Sequence, residues 1–573
     1  MPRMTARTIG AAILALGLCL PEVVAANGLS GSYLAARQAS YIGDFTAAAK
    51  YYNRTLYYDS ANPQLLERAV LANLSLGNLE RAVDLAARLE KDGERSQIAQ
   101  IALMAGEAHR EAYPEILKRL REDRGVGPLI DGLADAWSEL GRGDMSAALV
   151  AFDDVSDQRG LEGFALYHKA LALASVGDHE SAEAIFASKQ TGPIQQTRRA
   201  IVAHVEVLSQ LDRNDDALQL INDTFAEGGD PGIEALRRRL EAGENLPWTA
   251  VSGARQGLAE VFYTLAVALS NEAEDDYTLL YSRVAEYLRP DHVDAILLSA
   301  DMLERLEQHE LAVATYKRVP RDDPAFHAAE LGRADALRAS GKVDAAVEVL
   351  ERLAETHGDL PVVQSTLGDL MRQLERFDDA VTAYDRALAA FDGPEPGQWF
   401  LYYARGISHE RLDDWPKAEA DFRSALKLNP EQPQVLNYLG YSLVEKQEKL
   451  DEALSMIERA VAARPDSGYI VDSLGWVLYR LGRYDEAVPH MERAAELMAV
   501  DPVVNDHLGD VYWAVGRKLE AEFMWHRALS FVDSEVASDE VDPDRIRRKL
   551  DIGLDALLSE EGLPPLKVAN DGG

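Results

Sequence analysis

Small and apolar residues return at a fixed spacing along the C-terminal half of the chain. Leu367-Gly368, Leu439-Gly440, Leu474-Gly475 and Leu508-Gly509 each open a unit. Twelve or thirteen residues after each glycine stands an alanine: Ala380, Ala453, Ala487 and Ala521. A large residue follows four later (Tyr384, Ile457, Met491, Trp525), and three beyond it another alanine (Ala387, Ala460, Ala494, Ala528). Gly406, Ala418, Phe422, Ala425 and Pro430 follow the same order, and the steps from Gly406 to Gly440, Gly475 and Gly509 are 34, 35 and 34 residues. Offsets of four and seven fall on one stripe of an α-helix. Each unit therefore predicts one helix through the glycine and a second through the alanines. Pro430 and Pro465 end the second helix, because proline cannot continue it.

This pattern resembles the tetratricopeptide repeat, whose period is about 34 residues. The resemblance implies an all-α solenoid of antiparallel helix pairs, helix A then helix B, wound into a right-handed superhelix. The glycine of helix A allows close approach to its own helix B, the first alanine of B sits at the crossing, and the large residue fills the gap to the next helix A. One pair cannot bury its apolar face, so stacked neighbours supply the core. The same template reads upstream with more drift: Ala334, Ala346 and Leu350; Ala300, Ala312, Tyr316 and Pro324; and a weaker unit with Phe262, Leu265, Ala266, Ala285 and Pro290. Further up come Ala170, Gly177, Ala182 and Phe186, then Ala136, Ala148 and Phe152. Gly77 with Ala82 marks another unit, and Gly43-Asp44-Phe45 with Ala48 and Tyr52 the first. Residues 201–221 fit loosely, and 97–122 are helical in pattern without the signature.

The expected organisation is a leader (1–26), divergent repeats (27–242), a connector (243–253), regular repeats (254–530), and an acidic linker, capping helix and frayed tail (531–573). The connector holds Pro247 and Trp248 and breaks the helical rhythm. In the last segment Ile546, Leu550, Leu554, Leu557 and Leu558 form the apolar stripe of the helix a solenoid needs at its open end.

The resemblance also implies a binding groove lined by the A helices, at positions six and three before, and one and four after, the small residue. Those positions are Phe400, Tyr403, Ile407 and Glu410 around Gly406, and Gln434, Asn437, Tyr441 and Val444 around Gly440. Around Gly475 they are Tyr469, Asp472, Trp476 and Tyr479, and around Gly509 Val503, Asp506, Asp510 and Trp513. Aromatic side chains beside Asn437, Asp472, Asp506 and Asp510 offer an apolar floor with hydrogen-bonding groups, the mixture that interface hot spots use. Two other readings stay open: the aromatics pack against neighbouring units, or the C-terminal helix covers them. The carboxylate-clamp subclass of the family needs cations where this groove has acids. The expected partner is therefore a neutral to basic protein segment.

Charge and composition narrow the function. The chain has 573 residues, 59 Lys plus Arg and 96 Asp plus Glu, a net charge of -37. That argues against nucleic acid, which needs cations to replace phosphate counterions, and against a peripheral grip on anionic lipid. Arg3 and Arg7, the apolar run Ile9–Leu20, Pro21 and Val24-Ala25-Ala26 have the order of a cleavable secretory leader. The run is too short to span a bilayer. The expectation is a soluble periplasmic protein starting at Ala26 or Asn27. The lone cysteine, Cys19, lies inside the leader and follows Leu18, which is too bulky for a lipoprotein cleavage site.

No phosphate loop, HExxH zinc pair, EF-hand loop or nucleophile elbow is present. No catalytic residue, cofactor or metal is expected. The units from Leu436 to Leu529 look like those of proteobacterial envelope repeat proteins. Some of these are outer-membrane lipoproteins that bring a carboxy-terminal processing protease to cell-wall hydrolases. That resemblance implies a non-catalytic periplasmic adaptor. The alternative is a repeat component of an envelope assembly or polysaccharide or outer-membrane export system.

Overall fold

A computed structural model describes residues 29–91, 93–188, 197–226, 229–391, 393–532, 541–563 and 566. The expected leader, Cys19 and the acidic linker at 533–540 lie outside the described residues. Among the described residues every regular element is helical. Two compact units form, one to Val349 and one from Leu350.

The first unit begins with six successive pairs: α1 (Leu29–Tyr41) and α2 (Phe45–Tyr58), α3 (Pro63–Leu76) and α4 (Leu79–Lys91), α5 (Gln97–His109) and α6 (Tyr113–Arg121), α7 (Pro128–Gly141) and α8 (Met145–Ser156), α9 (Glu162–Ser175) and α10 (His179–Phe186), α11 (Arg198–Gln210) and α12 (Asn214–Thr224). Residues 97–122, which lack the signature, thus form an ordinary pair. α13 (Pro231–Glu241), α14 (Ala254–Leu269), α15 (Asp275–Leu288), α16 (Val293–Arg305), α17 (His309–Tyr316) and α18 (Phe326–Ala339) follow, and α19 (Val343–Thr356) runs across the boundary. The helices start where the sequence supplies caps. Asp44, Asn62, Ser96, Asp144 and Thr197 each accept from a backbone N–H of the first turn, satisfying a donor that has no partner inside the helix.

The repeat rhythm changes after α13. α14 packs on α5, α7 and α9, and α15 on α3 and α5, all of them A helices. This pair therefore lies across the faces that a simple stack would leave open. Gly257 makes the approach possible: a Cβ there would stand 2.3 Å from the ring of the fully buried Trp137 of α7. Glu260, also fully buried, then locks α14 in place. It accepts from Tyr167 Oη of α9 (3.0 Å) and from Arg199 Nε of α11 (2.7 and 2.8 Å), and pairs with His292 Nε2 (3.3 Å). Arg199 and His292 hold the Glu260 carboxyl well below its usual pKa, although burial alone would raise it. Residues 243–253 are ordered by the same region. Leu246 and Val251 are buried, Trp248 Nε1 donates to the Val251 carbonyl, and Glu206 accepts from Thr249 N (2.8 Å).

The second unit is a plainer stack of α20 (Pro361–Gln373) and α21 (Phe377–Ala389), α22 (Trp399–Arg411) and α23 (Trp415–Leu428), α24 (Pro433–Glu445) and α25 (Leu450–Ala463), α26 (Gly468–Arg480) and α27 (Tyr484–Leu497), and α28 (Pro502–Ala514) and α29 (Lys518–Phe531), closed by α30 (Pro543–Ile552) and α31 (Leu554–Glu560). Ala380, Ala418, Ala453, Ala487 and Ala521 are all fully buried. The large residue of each helix B lies over the glycine of its own helix A: a Cβ on Gly475 would meet Met491 Sδ at 2.3 Å, and one on Gly509 would meet Trp525 Nε1 at 2.4 Å. It also reaches forward, as Phe422 does to Tyr438 of the next helix A, with ring centroids 5.2 Å apart. The sequence pattern accounts for the forward contact alone; in the structure the glycine is there for the large residue as well as for the alanine crossing.

Candidate functional site

The A helices of the second unit, α22, α24, α26 and α28, share a groove of about 440 Å³. Asn437, Tyr441, Tyr469 and Asp472 line it, with Glu410 and Val503 at its ends. Asn437 is buried, and its Oδ1 has no hydrogen-bond partner. An unpaired buried amide oxygen costs about 1–3 kcal/mol, so this atom is an acceptor waiting for a donor. Tyr469 beside it is 47% exposed.

Asp472 accepts from His507 Nδ1 at 3.1 Å, and the His507 ring stacks on Trp476 with centroids 3.9 Å apart and planes 15° from parallel. Burial alone would push the proton off His507. Asp472, with Asp506 and Asp510 behind it, outweighs burial, and the imidazole pKa lies above its usual value. Trp476 is half-buried, and its Nε1 donates to Glu445 Oε1 (3.0 Å) at the rim, where Arg480 also binds Glu445 (2.8 Å). Arg480 is thus tied to the groove edge through Glu445.

The remaining positions are placed otherwise. Tyr479 does not face the groove: it is buried between Trp476 and Tyr484, which makes it core, and burial raises its pKa well above normal. Asp510 is buried as well. It accepts from Trp525 Nε1 (3.0 Å) and Lys549 Nζ (2.7 Å), and Asp506 takes two further bonds from the same ammonium at 2.8 Å. Burial, reinforced by Asp506, lifts the Asp510 pKa against the pull of Lys549. Trp513 donates from Nε1 to Asp555 (2.9 Å) and packs on Gly553. The closing helices α30 and α31 therefore occupy the inner positions of the last unit and leave the groove around Asn437 and Tyr469 accessible. Tyr403 is half-buried among Trp399, Phe422 and Tyr438, with a pKa pushed up to about 12 by burial. Phe400 is 44% exposed and lies outside the groove.

Among the lining residues that sequence reasoning missed are Tyr438, Ser473 and His507. Each stands two positions before its glycine, so one added offset would have found them. Beyond the end of the helix-A rule lie Glu445 and Lys446, five and six after Gly440.

A second cavity, about 700 Å³, adjoins Glu260 in the first unit. Its Arg198 and Arg199 are already paired, with Asp230 and with Glu260 and Asp294. Among the described residues no group of three or more His, Cys, Asp or Glu could hold a metal ion, and no helix is long and apolar enough to cross a membrane.

The tetratricopeptide-repeat family model matches in five overlapping stretches from residue 297 to residue 502. Residues 297–502 are thus similar to tetratricopeptide repeats. A TPR repeat-containing protein of Pseudomonas aeruginosa is 28% identical over 159 residues, covering 28% of this chain and 26% of that protein. The match thus spans about a quarter of the relative's own length. Among solved structures, the APC/C hetero-tetramer Cut9–Hcn1 aligns over 92% of this chain and 96% of its own at 14% identity, with a TM-score of 0.38. A tetratricopeptide repeat protein of Parabacteroides merdae aligns over 51% and 97% at 14% identity and 0.33. YrrB, described as a TPR protein with an unusual peptide-binding site, aligns over 33% and 95% at 20% identity and 0.27. Tetratricopeptide repeats imply a protein-interaction scaffold.

Proposed function

We propose that the chain is a non-catalytic periplasmic adaptor whose second unit docks a neutral to basic protein segment along the groove of α24, α26 and α28. The observation that carries the reading is Asn437 Oδ1, buried at the groove and unpaired, beside Tyr441, Tyr469 and the His507–Trp476 stack. A docked backbone would supply the missing donor, and the tyrosines would cover its side chains. Glu410, Glu445, Asp472 and Asp501 around the same groove favour a partner without net negative charge. The resemblance of the last repeats to envelope adaptors supports recruitment of an envelope protease or cell-wall hydrolase as the task.

Peptides selected from a random library against the full mature chain test the site. Trp476→Ala should weaken the selected peptides by about 2 kcal/mol, as hot-spot truncations do, and added salt should weaken the basic ones. Equal affinity for the wild type, Trp476→Ala and Asn437→Ala would place docking elsewhere. The location has its own test. The N-terminus of the protein from a periplasmic fraction should be Ala26 or Asn27, and a retained Arg3 or a lipid on Cys19 would contradict it.

A further inference from the structure

The helix pair that fills the first unit leaves a space at one end. Where α14 crosses α9 and the start of α11 there is a cavity of about 700 Å³, within the size range of small-molecule sites. It is not the open face of a helix stack. α14 is one of its walls, so the space exists only because the chain lays that helix across its own repeats. Phe164 and Tyr167 of α9 and Tyr263 and Val267 of α14 line it. Tyr167 and Glu260, both buried and bonded to each other at 3.0 Å, form its floor.

The charges around this cavity are unequal. Both guanidinium groups in its wall already hold carboxylates. Arg199 donates through Nε to Glu260 (2.7 and 2.8 Å), through Nη1 to Asp294 (2.9 Å) and through Nη2 to the Ala250 carbonyl (3.2 Å). Arg198 holds Asp230 with two bonds, from Nε (2.5 Å) and Nη2 (3.0 Å). Two other lining acids have no such partner. Glu162, at the start of α9, and Glu272, just beyond α14, are exposed and make no ion pair among the described residues. Over the lining, Arg198 and Arg199 stand against Glu162, Glu260, Glu272 and Asp294, two positive charges against four negative, a formal charge of -2. Asp230, behind Arg198, adds a fifth carboxylate. The Tyr263 hydroxyl makes no hydrogen bond among the described residues, so it can accept one from a ligand.

We infer that this cavity binds a small organic cation, an amine or quaternary ammonium carried on an aromatic or apolar body. The body would lie against Phe164, Tyr263 and Val267, and the cation at the mouth with Glu162 and Glu272, where an aromatic face adds a further attraction. An anion is disfavoured by the excess of carboxylates. An extended protein segment is disfavoured because α14 bounds the space on one side and Tyr167 and Glu260 end it. A ligand held between α9 and α14 joins the filling helix to the repeats it fills, so its binding stabilises that packing. The inference stands whether or not the groove at Asn437 binds.

The probes are dansylcadaverine, dansylamide and dansylglycine, which share one aromatic body and carry a positive, no and a negative charge. Each is titrated with the full mature chain by fluorescence. Dansylcadaverine should saturate, about tenfold tighter than dansylamide, with dansylglycine the weakest, and added salt should narrow the difference. It should also slow hydrogen exchange in α9 and α14. Glu162→Gln combined with Glu272→Gln, both at exposed positions, should weaken dansylcadaverine by about tenfold and leave dansylamide within about twofold. Ala268→Trp puts bulk on an exposed lining residue and should weaken both. Trp476→Ala should change neither by more than about twofold. Absence of saturation overturns the inference, as does dansylglycine binding as tightly as dansylcadaverine. So does indifference to the glutamine pair in a variant that melts like the wild type, or a loss with Trp476→Ala, which would place the dye in the second unit. A peptide of phenylalanine and lysine that competes with dansylcadaverine and binds more tightly would make the occupant a protein segment, and that too overturns it.

Discussion

The two units use one building block and treat its inner face in opposite ways. In the first, α14 and α15 lie on the A helices α3, α5, α7 and α9 and fill the face with protein. In the second, the faces of α24, α26 and α28 keep a groove with an unpaired amide at its floor. The residues at matched positions explain the difference. Around Ala136 of α7 they are Ile130, Leu133, Trp137 and Leu140, an apolar set whose first three members are buried. Around Gly440 they are Gln434, Asn437, Tyr441 and Val444. An apolar inner face has to be covered, whereas a mixed one can stay wet and wait for a partner. Possession of the repeat therefore does not locate a binding site; the inner-face composition of each helix A does.

The first prediction would break the comparison if it failed. Glu260→Gln keeps the size of the side chain but leaves Arg199 and His292 without the carboxylate they share with Tyr167. Breaking a buried ion pair costs about 3–5 kcal/mol. The loss should appear as faster hydrogen exchange in α9, α11 and α14, with α24–α28 unchanged. The pH dependence has a definite sign. The folded pKa of Glu260 is depressed below its ordinary value, so its stabilisation is present above about 4.5 and is lost as the pH falls toward the folded value. Acid should thus free α14 before it loosens the second unit. Unchanged protection of α14 in the variant would mean that the inner face is held by packing alone.

Lys549 tests the closed end of the second unit. Its side chain is fully buried against Asp506 and Asp510. Lys549→Met preserves the stem and removes the charge, leaving the two carboxylates without the ammonium that bonds both of them and raising the local cost by about 3 kcal/mol. Limited proteolysis should then cut between Phe531 and Asp542 and release α30 and α31, while peptide binding at Asn437 persists. Loss of that binding together with the helices would make them part of the groove and not its end.

How much of this was legible depends on which contact each residue makes. The helix pairs were plain, because alanine at the crossing and glycine under Met491 or Trp525 are dictated by space inside one unit. The groove was partly legible. Asn437, Tyr441, Tyr469 and Asp472 fall where the family pattern puts them, but Tyr479 and Asp510 share that pattern and are buried. Tyr479 is covered from within its own unit by Tyr484, a side-chain packing that the helix-A offsets do not register, whereas what neutralises Asp510 comes from elsewhere in the chain, Lys549, 39 residues on. The filling of the first unit was hidden for the same reason. Glu260 and Tyr167 are 93 residues apart, and no local period registers a contact at that distance. The apolar inner face around Ala136 was the available signal, and it reads as ordinary core until its counterpart in α14 is known.

The smallest expected effect concerns His507, which lies in the groove against Asp472. Its folded pKa is raised, because Asp472 and, behind it, Asp506 and Asp510 outweigh burial. The charged ring therefore adds stability that is fully present below the unfolded value of about 6.5 and fades as the pH rises through the folded value. His507→Gln can still donate to Asp472 but cannot carry the charge. Relative to the wild type it should be less stable near pH 5 and nearly equal near pH 9, a difference of about 1 kcal/mol, the net scale of one hydrogen bond. Hydrogen exchange in α26 and α28 reads it directly, and Trp476 emission should rise with pH in the wild type as the stacked ring loses its charge. A first-unit residue offers the control: His168 is buried beside Trp137 and Thr264, and burial holds its pKa down at about 4, so it stays neutral across that range. If α26 and α28 respond to pH equally in the wild type and His507→Gln, the titration belongs to another group and the groove of the second unit is electrostatically as static as the filled face of the first.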